Sequence, residues 1–309
     1  MAITFSQAKF LLQAMQQGTS FRSLCTIGRM TSYFRPDEVK QLEAISGSSS
    51  TEEFDFGRAW CDGFFRDFLK AQEIHSIDYS HYEGADLVHD MNLALPPQHN
   101  LTFDVVIDSG SLEHVFNFPV AIANCMNLVR TGGSLFLFTP ANNHCGHGFY
   151  QFSPELMFRI FQPENGFELV QLILEPHAFP GVELSDPGNQ YRVADPATVG
   201  TRVGLVTSCP VMMMVHARKT QHVVPFQTPP LQSDYATKWN STLNTPVDSL
   251  EQASGLKTLL RRTGLLMALC RIRDVVWNCI PQRWTQALEG RRQLRDYSFR
   301  NQRHFTRLD

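Results

Sequence analysis

Three short apolar runs, each closed by an aspartate, constrain this chain most. They are residues 73–78 (EIHSID), 85–90 (ADLVHD) and 103–108 (FDVVID). Each is long enough for a strand and too short for an average helix. An earlier run at 21–29 (FRSLCTIGR) suits a buried strand reaching Gly28. Later runs at 134–139 (SLFLFT), 166–174 and 211–216 repeat the pattern. Between them the spacing predicts helices. Residues 1–20 place Phe5, Ala8, Leu11, Leu12 and Met15 at helical spacing. Residues 36–45 open with Pro36-Asp37-Glu38, and residues 57–71 carry Phe64, Phe65, Phe68 and Leu69 on one face. Residues 118–130 form another helix, and Ser153-Pro154-Glu155 starts one that runs to about Phe161. Short apolar strands alternating with helices predict an α/β fold, a parallel sheet covered on both faces.

Composition supports a packed core. Of 309 residues 43% are hydrophobic, 23 of them Phe, which excludes wholesale disorder. Three segments are expected: a domain at 1–220, a polar, Pro-containing linker at 221–255, and a basic helical extension at 256–309. The net charge of −3 conceals a split. Residues 1–220 hold 14 basic and 23 acidic residues, and residues 256–309 hold 12 and four. The acidic domain is not expected to bind nucleic acid. The apolar run within the extension, at 263–280, is too short and too charged to span a bilayer. It can lie on an anionic membrane surface with Trp277 and Trp284 as anchors, or pack on the domain or on a second copy. The start, MAITFSQAKF, lacks a basic segment followed by an apolar block, so no secretory leader is expected. Seven scattered Cys form no CxxC pair, which fits free thiols in a reducing cytoplasm. The one tight ligand cluster, His144-Cys145-Gly146-His147, lacks a distant partner pair, so no metal is expected.

In open parallel sheets, ligands bind beyond the carboxyl ends of the strands. Here successive strands end at Gly28, Asp78, Asp90 and Asp108. An acid at the end of the second strand can accept two ribose hydroxyls. One after the third can accept an adenine amino group. Each Asp can equally cap its own turn, and both readings stay open.

Residues 103–140 read FDVVIDSGSLEHVFNFPVAIANCMNLVRTGGSLFLFTP. They resemble the second half of a class I S-adenosylmethionine-dependent methyltransferase: a fourth strand, the LEHV segment, a helix, the TGG turn and a fifth strand ending in Pro. PVMMMVHARK resembles the last strand of that fold, so the resemblance spans about residues 20–219. The segments SIDYSHYEGADLVHDMN and NNHCGHGFYQFSPE resemble a bacterial branch of the family. The resemblance implies a Rossmann-like, seven-stranded, mostly parallel sheet with its last strand antiparallel and helices on both faces. It implies S-adenosylmethionine as cofactor. Gly28 then falls at the first glycine of the cofactor loop, and Asp78, with Tyr79 beside it, at the ribose acid. Asp90 and Met91 fall at the adenine edge. Asp108, Ser109 and Gly110 line the mouth after the fourth strand, and Glu113 and His114 face cofactor and substrate.

One departure stands out. The family's first loop is acidic-x-Gly-x-Gly-x-Gly, whereas this chain has Thr26-Ile27-Gly28-Arg29-Met30. Arg29 can pair with the cofactor carboxylate in place of the missing glycines, or serve structure alone. Methyl transfer requires alignment, exclusion of water and often a base. His114 and His147 are the candidate bases, and Tyr150 is a candidate for positioning a polar substrate. The resulting expectation is methylation, on oxygen or nitrogen, of a small-molecule or sugar-containing acceptor. The alternative is a methyltransferase-like binding or scaffold protein that has lost the cofactor.

Overall fold

The computed structural model describes residues 1–51, 54–96, 102–178, 181, 185–186, 188–236 and 296–308. They fall into two units. The first comprises Met1–Val193, Thr207–Pro230 and Thr306–Asp309; the second comprises Ala194–Val206 and Leu231–Phe305. The helices expected at 256–295 and most of the linker lie outside the described residues. Among the described residues no helix is long and apolar enough to cross a membrane.

The first unit is built on the expected sheet. Its central strands are β2 (Ser23–Ile27), β4 (Glu73–Asp78), β5 (Leu87–Val88), β6 (Phe103–Ser109) and β7 (Val129–Asn142). Beyond them lie β8 (Phe167–Pro176), β9 (Gln190–Val193), β10 (Val211–Lys219) and β11 (Phe305–Leu308). The order across the sheet is β11-β9-β8-β10-β7-β6-β2-β4-β5, nine strands rather than seven. The strands from β5 to β7 run parallel, and β10 is antiparallel to both β7 and β8. Strand order therefore reverses between β2 and β6, the switch point at which such sheets bind ligands. The two additional strands are β9, antiparallel to β8, and β11 at the edge. β11 lies in the segment expected to be helical. Phe305 is buried and Thr306 and Arg307 are exposed, and the segment extends the sheet instead of coiling.

Departures from the expected helices trace to pairing with distant residues. The expected helix at 1–20 begins only at Phe5, as α1 (Phe5–Gln16), because β1 (Ala2–Thr4) pairs in parallel with β3 (Thr31–Tyr33). The Thr4 amide donates to Gln7 Oε1 at 2.8 Å and starts the helix. Residues 36–45 form α2 (Pro36–Ser46) as read. The helix expected at 57–71 shrinks to α3 (Asp62–Asp67). Gly57 sits at φ 71° and Lys70 at φ 62°. Ala59 accepts from the Ser32 amide and the Cys61 amide donates to Met30, so this backbone is spent on β3 and its flank. The Phe stripe there still packs inward, Phe34 against Phe64 at 5.3 Å and Phe64 against Phe68 at 5.7 Å. Further helices are α4 (Phe118–Leu128) and α5 (Pro154–Ile160), the latter capped by Ser153. In the second unit α6 (Pro196–Val199) is capped by Asp195, and Arg202 pairs with Asp234 at 2.9 Å.

The core lies between α1 and the sheet. All seven residues of β6 are buried. Phe10 of α1 meets Phe136 and Phe138 of β7 edge-on at 6.1 and 6.0 Å. Buried Lys219 donates to the carbonyls of Met126 and Val129 at 2.9 and 2.8 Å, satisfying groups at the end of α4.

His216 is buried with them, its ring stacked on Phe136 at 4.4 Å and Nε2 3.0 Å from Ser134 Oγ. Burial, aided by the Arg218 charge, pushes its pKa down to about 4. An unfolded chain takes up this proton nearer 6.5, so as pH falls the unfolded state binds it first. The stability His216 contributes is whole above 6.5 and is lost as pH falls toward 4. Between neutral pH and about pH 5 the loss should reach ~2 kcal/mol. Urea unfolding of His216→Gln should show a correspondingly flatter pH dependence. An unchanged dependence would remove His216 from the acid response.

Candidate active site

The register aligns the carboxyl ends of three strands. Ile27 of β2 lies opposite Ile77 of β4 on one side and Asp108 of β6 on the other. Gly28, Asp78 and Ser109 therefore emerge together at one edge. Gly28 has φ 73°, and its amide donates to the Ile77 carbonyl at 2.6 Å, so the chain turns sharply here in a conformation that favours glycine.

A cleft of about 470 Å3 opens at this edge, lined by Gly28, Asp78, Tyr79, Asp90 and Met91 together with Gly110, Ser111 and His114. Asp78 Oδ1 accepts the Tyr79 amide at 2.6 Å. Among the described residues Oδ2 accepts no hydrogen bond. Asp90 Oδ1 accepts both the amide and the side-chain nitrogen of Asn92, at 2.9 and 2.8 Å. Those bonds hold its carboxyl below the usual range. Asp90 thus caps its own turn and lines the cleft as well. Met91, next in the chain, is buried.

Arg29 is placed elsewhere. Its guanidinium stacks over Trp60 at 4.5 Å, donates to the Glu83 carbonyl at 3.2 Å and faces Asp62 at 3.5 Å. It does not line the cleft. The Met1 side chain instead lies over Gly28, where a Cβ would fall 1.9 Å from Met1 Cε.

A second cleft of about 300 Å3 shares Met1, Gly110 and His114 with the first. Its other walls include Glu113, His144, His147, Phe138 and Met212, and from the N-terminal segments Thr4, Gln7 and Tyr33. Glu113 and His114 stand on a single 3-10 turn after β6. His147 comes from the loop after β7. That loop is tied down at both ends: Asn143, at φ 58°, donates to the carbonyls of Thr207 and Cys209 at 2.8 and 2.9 Å. The amides of Phe149 and Tyr150 both donate to the Glu113 carbonyl, at 2.7 and 3.2 Å. A Cβ on Gly148 would fall 2.7 Å from that same oxygen, so glycine is what allows the approach.

The clamp brings His147 Nε2 to 3.5 Å from Glu113 Oε1, and the His114 and His147 ring centres to 5.1 Å. Asp108 and Glu113 are both fully buried. Burial first, and then the Glu113 charge, hold the Asp108 carboxyl well above its ordinary range. His144 is buried too, and desolvation followed by the neighbouring His147 lowers its pKa. Ser109 lines the second cleft and donates to the Ala2 carbonyl at 2.6 Å. Tyr150 lines neither cleft. Its hydroxyl donates to the Phe116 carbonyl at 2.7 Å, and its ring stacks on Phe152 at 5.7 Å.

Sequence reasoning did not single out Thr4, Gln7, Tyr33 or Met212 as cleft residues. They reach it through the β1–β3 pairing, in which Ala2 lies opposite Thr31, and through β10 beside β7. No short-range pattern signals either contact.

No protein-family model matches the sequence, and no curated protein matches it. Solved structures give low-level likenesses. A 1,6-didemethyltoxoflavin-N1-methyltransferase from Burkholderia thailandensis, bound to 1,6-didemethyltoxoflavin and S-adenosylhomocysteine, is 12% identical over 70% of this chain and 78% of its own, with TM-score 0.35. The YcgJ protein from Bacillus subtilis is 11% identical over 69% of this chain and all of its own, also with TM-score 0.35. Likeness at this level adds nothing to the strand order. On that order, with its switch point between β2 and β6 and antiparallel β10, the chain has the Rossmann-like fold of class I methyltransferases, extended by two edge strands.

Proposed function

We propose that the chain is an S-adenosylmethionine-dependent methyltransferase acting on a small-molecule or sugar-containing acceptor, at oxygen or nitrogen. One observation carries the reading: a cleft at the switch point of the sheet, walled by Gly28, Asp78, Asp90 and Met91, opens onto a second cleft through His114. The residues fit the nucleoside end of the cofactor. Asp78 offers a carboxylate oxygen to the ribose hydroxyls, and Met91 offers apolar surface to the base. At the amino-acid end the cleft supplies the backbone of Gly28 and Gly110 rather than a cation, because Arg29 is engaged with Trp60 and Asp62.

When bound, S-adenosylmethionine supplies an electrophilic methyl group. This chain's residues supply the rest. The roughly 300 Å3 second cleft suits a compact acceptor, since drug-sized ligands occupy about that volume or more. Phe138 and Met212 exclude water from its apolar side, while Gln7, Thr4 and Tyr33 can orient polar groups. His114, shared by the two clefts, is placed to take the acceptor proton, with His147 beside it. Free, buried Cys25, Cys61 and Cys125 support a reducing, cytoplasmic setting. The charge of 256–309 supports peripheral contact with an anionic membrane or with a second copy.

A second reading, a methyltransferase-like binding protein without cofactor, is favoured by the Met1 side chain lying over Gly28. Calorimetry separates the two. S-adenosylhomocysteine should bind one site per chain, with a Kd on the order of 1–100 μM. No heat of binding up to about 1 mM would overturn the enzyme reading in favour of the second.

A further inference from the structure

We propose that Glu113, His114 and His147 form a binding site for one divalent transition-metal ion at the floor of the second cleft. The fold supplies what the sequence cluster lacked. The turn after β6 brings Glu113 and His114 against the loop that carries His147, and one ligand atom from each lies within 4.8 Å of the others. A second observation points to a cation. Glu113 is fully buried and lines the cleft, yet among the described residues neither carboxylate oxygen has a hydrogen-bond partner. His147 Nε2 lies 3.5 Å from Oε1. A buried carboxylate is costly unless it is paired or bound to a metal. The backbone clamp on the Glu113 carbonyl fixes one ligand, and the side chains of His114 and His147 reach the same spot from the exposed side.

Two imidazoles and one carboxylate suit Zn2+, Mn2+, Fe2+ or Co2+ better than Mg2+ or Ca2+, which prefer all-oxygen sites. Three protein ligands leave positions open toward the cleft, as catalytic sites do. With an ion bound, His114 and His147 would serve as ligands rather than as bases: the ion would bind an acceptor oxygen and lower the pKa of its hydroxyl, the proton leaving to water. That role rests on the methyltransferase reading; binding of the ion does not.

The test is a titration of the full, metal-free chain with Co2+, followed by its visible absorption. One equivalent should bind. Glu113→Gln and His147→Ala should each weaken binding at least about tenfold. His222→Ala, a substitution of an exposed histidine outside both clefts, should leave it unchanged. Circular dichroism establishes that each variant folds. If Glu113→Gln does not fold, the half-exposed His147 decides alone. No Co2+ binding, or unaltered binding in His147→Ala, overturns the site. Calorimetry with S-adenosylhomocysteine on the metal-free protein tests the methyltransferase reading separately.

Discussion

Asp78→Ala is expected to weaken S-adenosylhomocysteine binding about 100-fold. The reasoning starts from the strand end. β4 delivers Asp78 to the edge beside Gly28, and one carboxylate oxygen is already committed to the Tyr79 amide. The other faces no partner among the described residues and stands in the wall of the larger cleft. Hydrogen bonds to a charged acceptor contribute about 1.5–3 kcal/mol each, and a ribose offers two hydroxyls. Losing about 3 kcal/mol corresponds to roughly a hundredfold in Kd. Folding should be little affected, because Asp78 is not fully buried and anchors only its own turn. Asp55→Ala, exposed and outside the cleft, should bind as the unaltered chain does. If calorimetry gives Asp78→Ala the affinity of the unaltered protein, Asp78 is a turn cap and the nucleoside lies elsewhere.

How far the sequence could be read depended on range. β6 was legible because a strand buried on both faces is mostly apolar, and Phe103, Val105, Val106 and Ile107 supply that run. Of the acids read as strand ends, Asp78 closes β4, Asp108 lies one residue inside the end of β6, and Asp90 lies two residues past β5. Their uses were not legible. Asp90 closes an Asx turn, Asp108 is sealed in the interior, and Asp78 faces the cleft, yet the three look alike in sequence. Arg29 follows cleft residue Gly28 and Tyr150 lies three residues past cleft residue His147, yet both point away, Arg29 onto Trp60 and Tyr150 onto Phe116 and Phe152. The partners that fix these directions include Trp60, 31 residues from Arg29, and Phe116, 34 residues from Tyr150, and adjacency does not encode them. The helix misread at 57–71 shows the same limit. The periodic Phe residues reported burial correctly, but the backbone just before them, at 57–61, bonds to residues 30–32.

Phe136→Ala should be the most damaging single core substitution, costing about 3–5 kcal/mol. Phe136 is fully buried in β7, the strand between β6 and β10, and no solvent can fill the space it leaves. Three rings rest on it: His216 at 4.4 Å, Phe21 at 5.7 Å and Phe10 of α1 at 6.1 Å. They come from opposite ends of the chain, so relaxation of one into the cavity would strain the others. Removing the ring therefore loses transfer free energy and leaves a void that cannot close. Domains of this kind have only about 5–15 kcal/mol in total, so the variant should approach the threshold for folding at ambient temperature. Urea unfolding should show a large fall in midpoint with little change in slope. Phe149→Ala, at an exposed ring beside the second cleft, should stay within about 0.5 kcal/mol of the unaltered chain. A loss below about 1 kcal/mol in Phe136→Ala would mean that α1 does not seal this face of the sheet, and that the N-terminal wall of the second cleft is not anchored there.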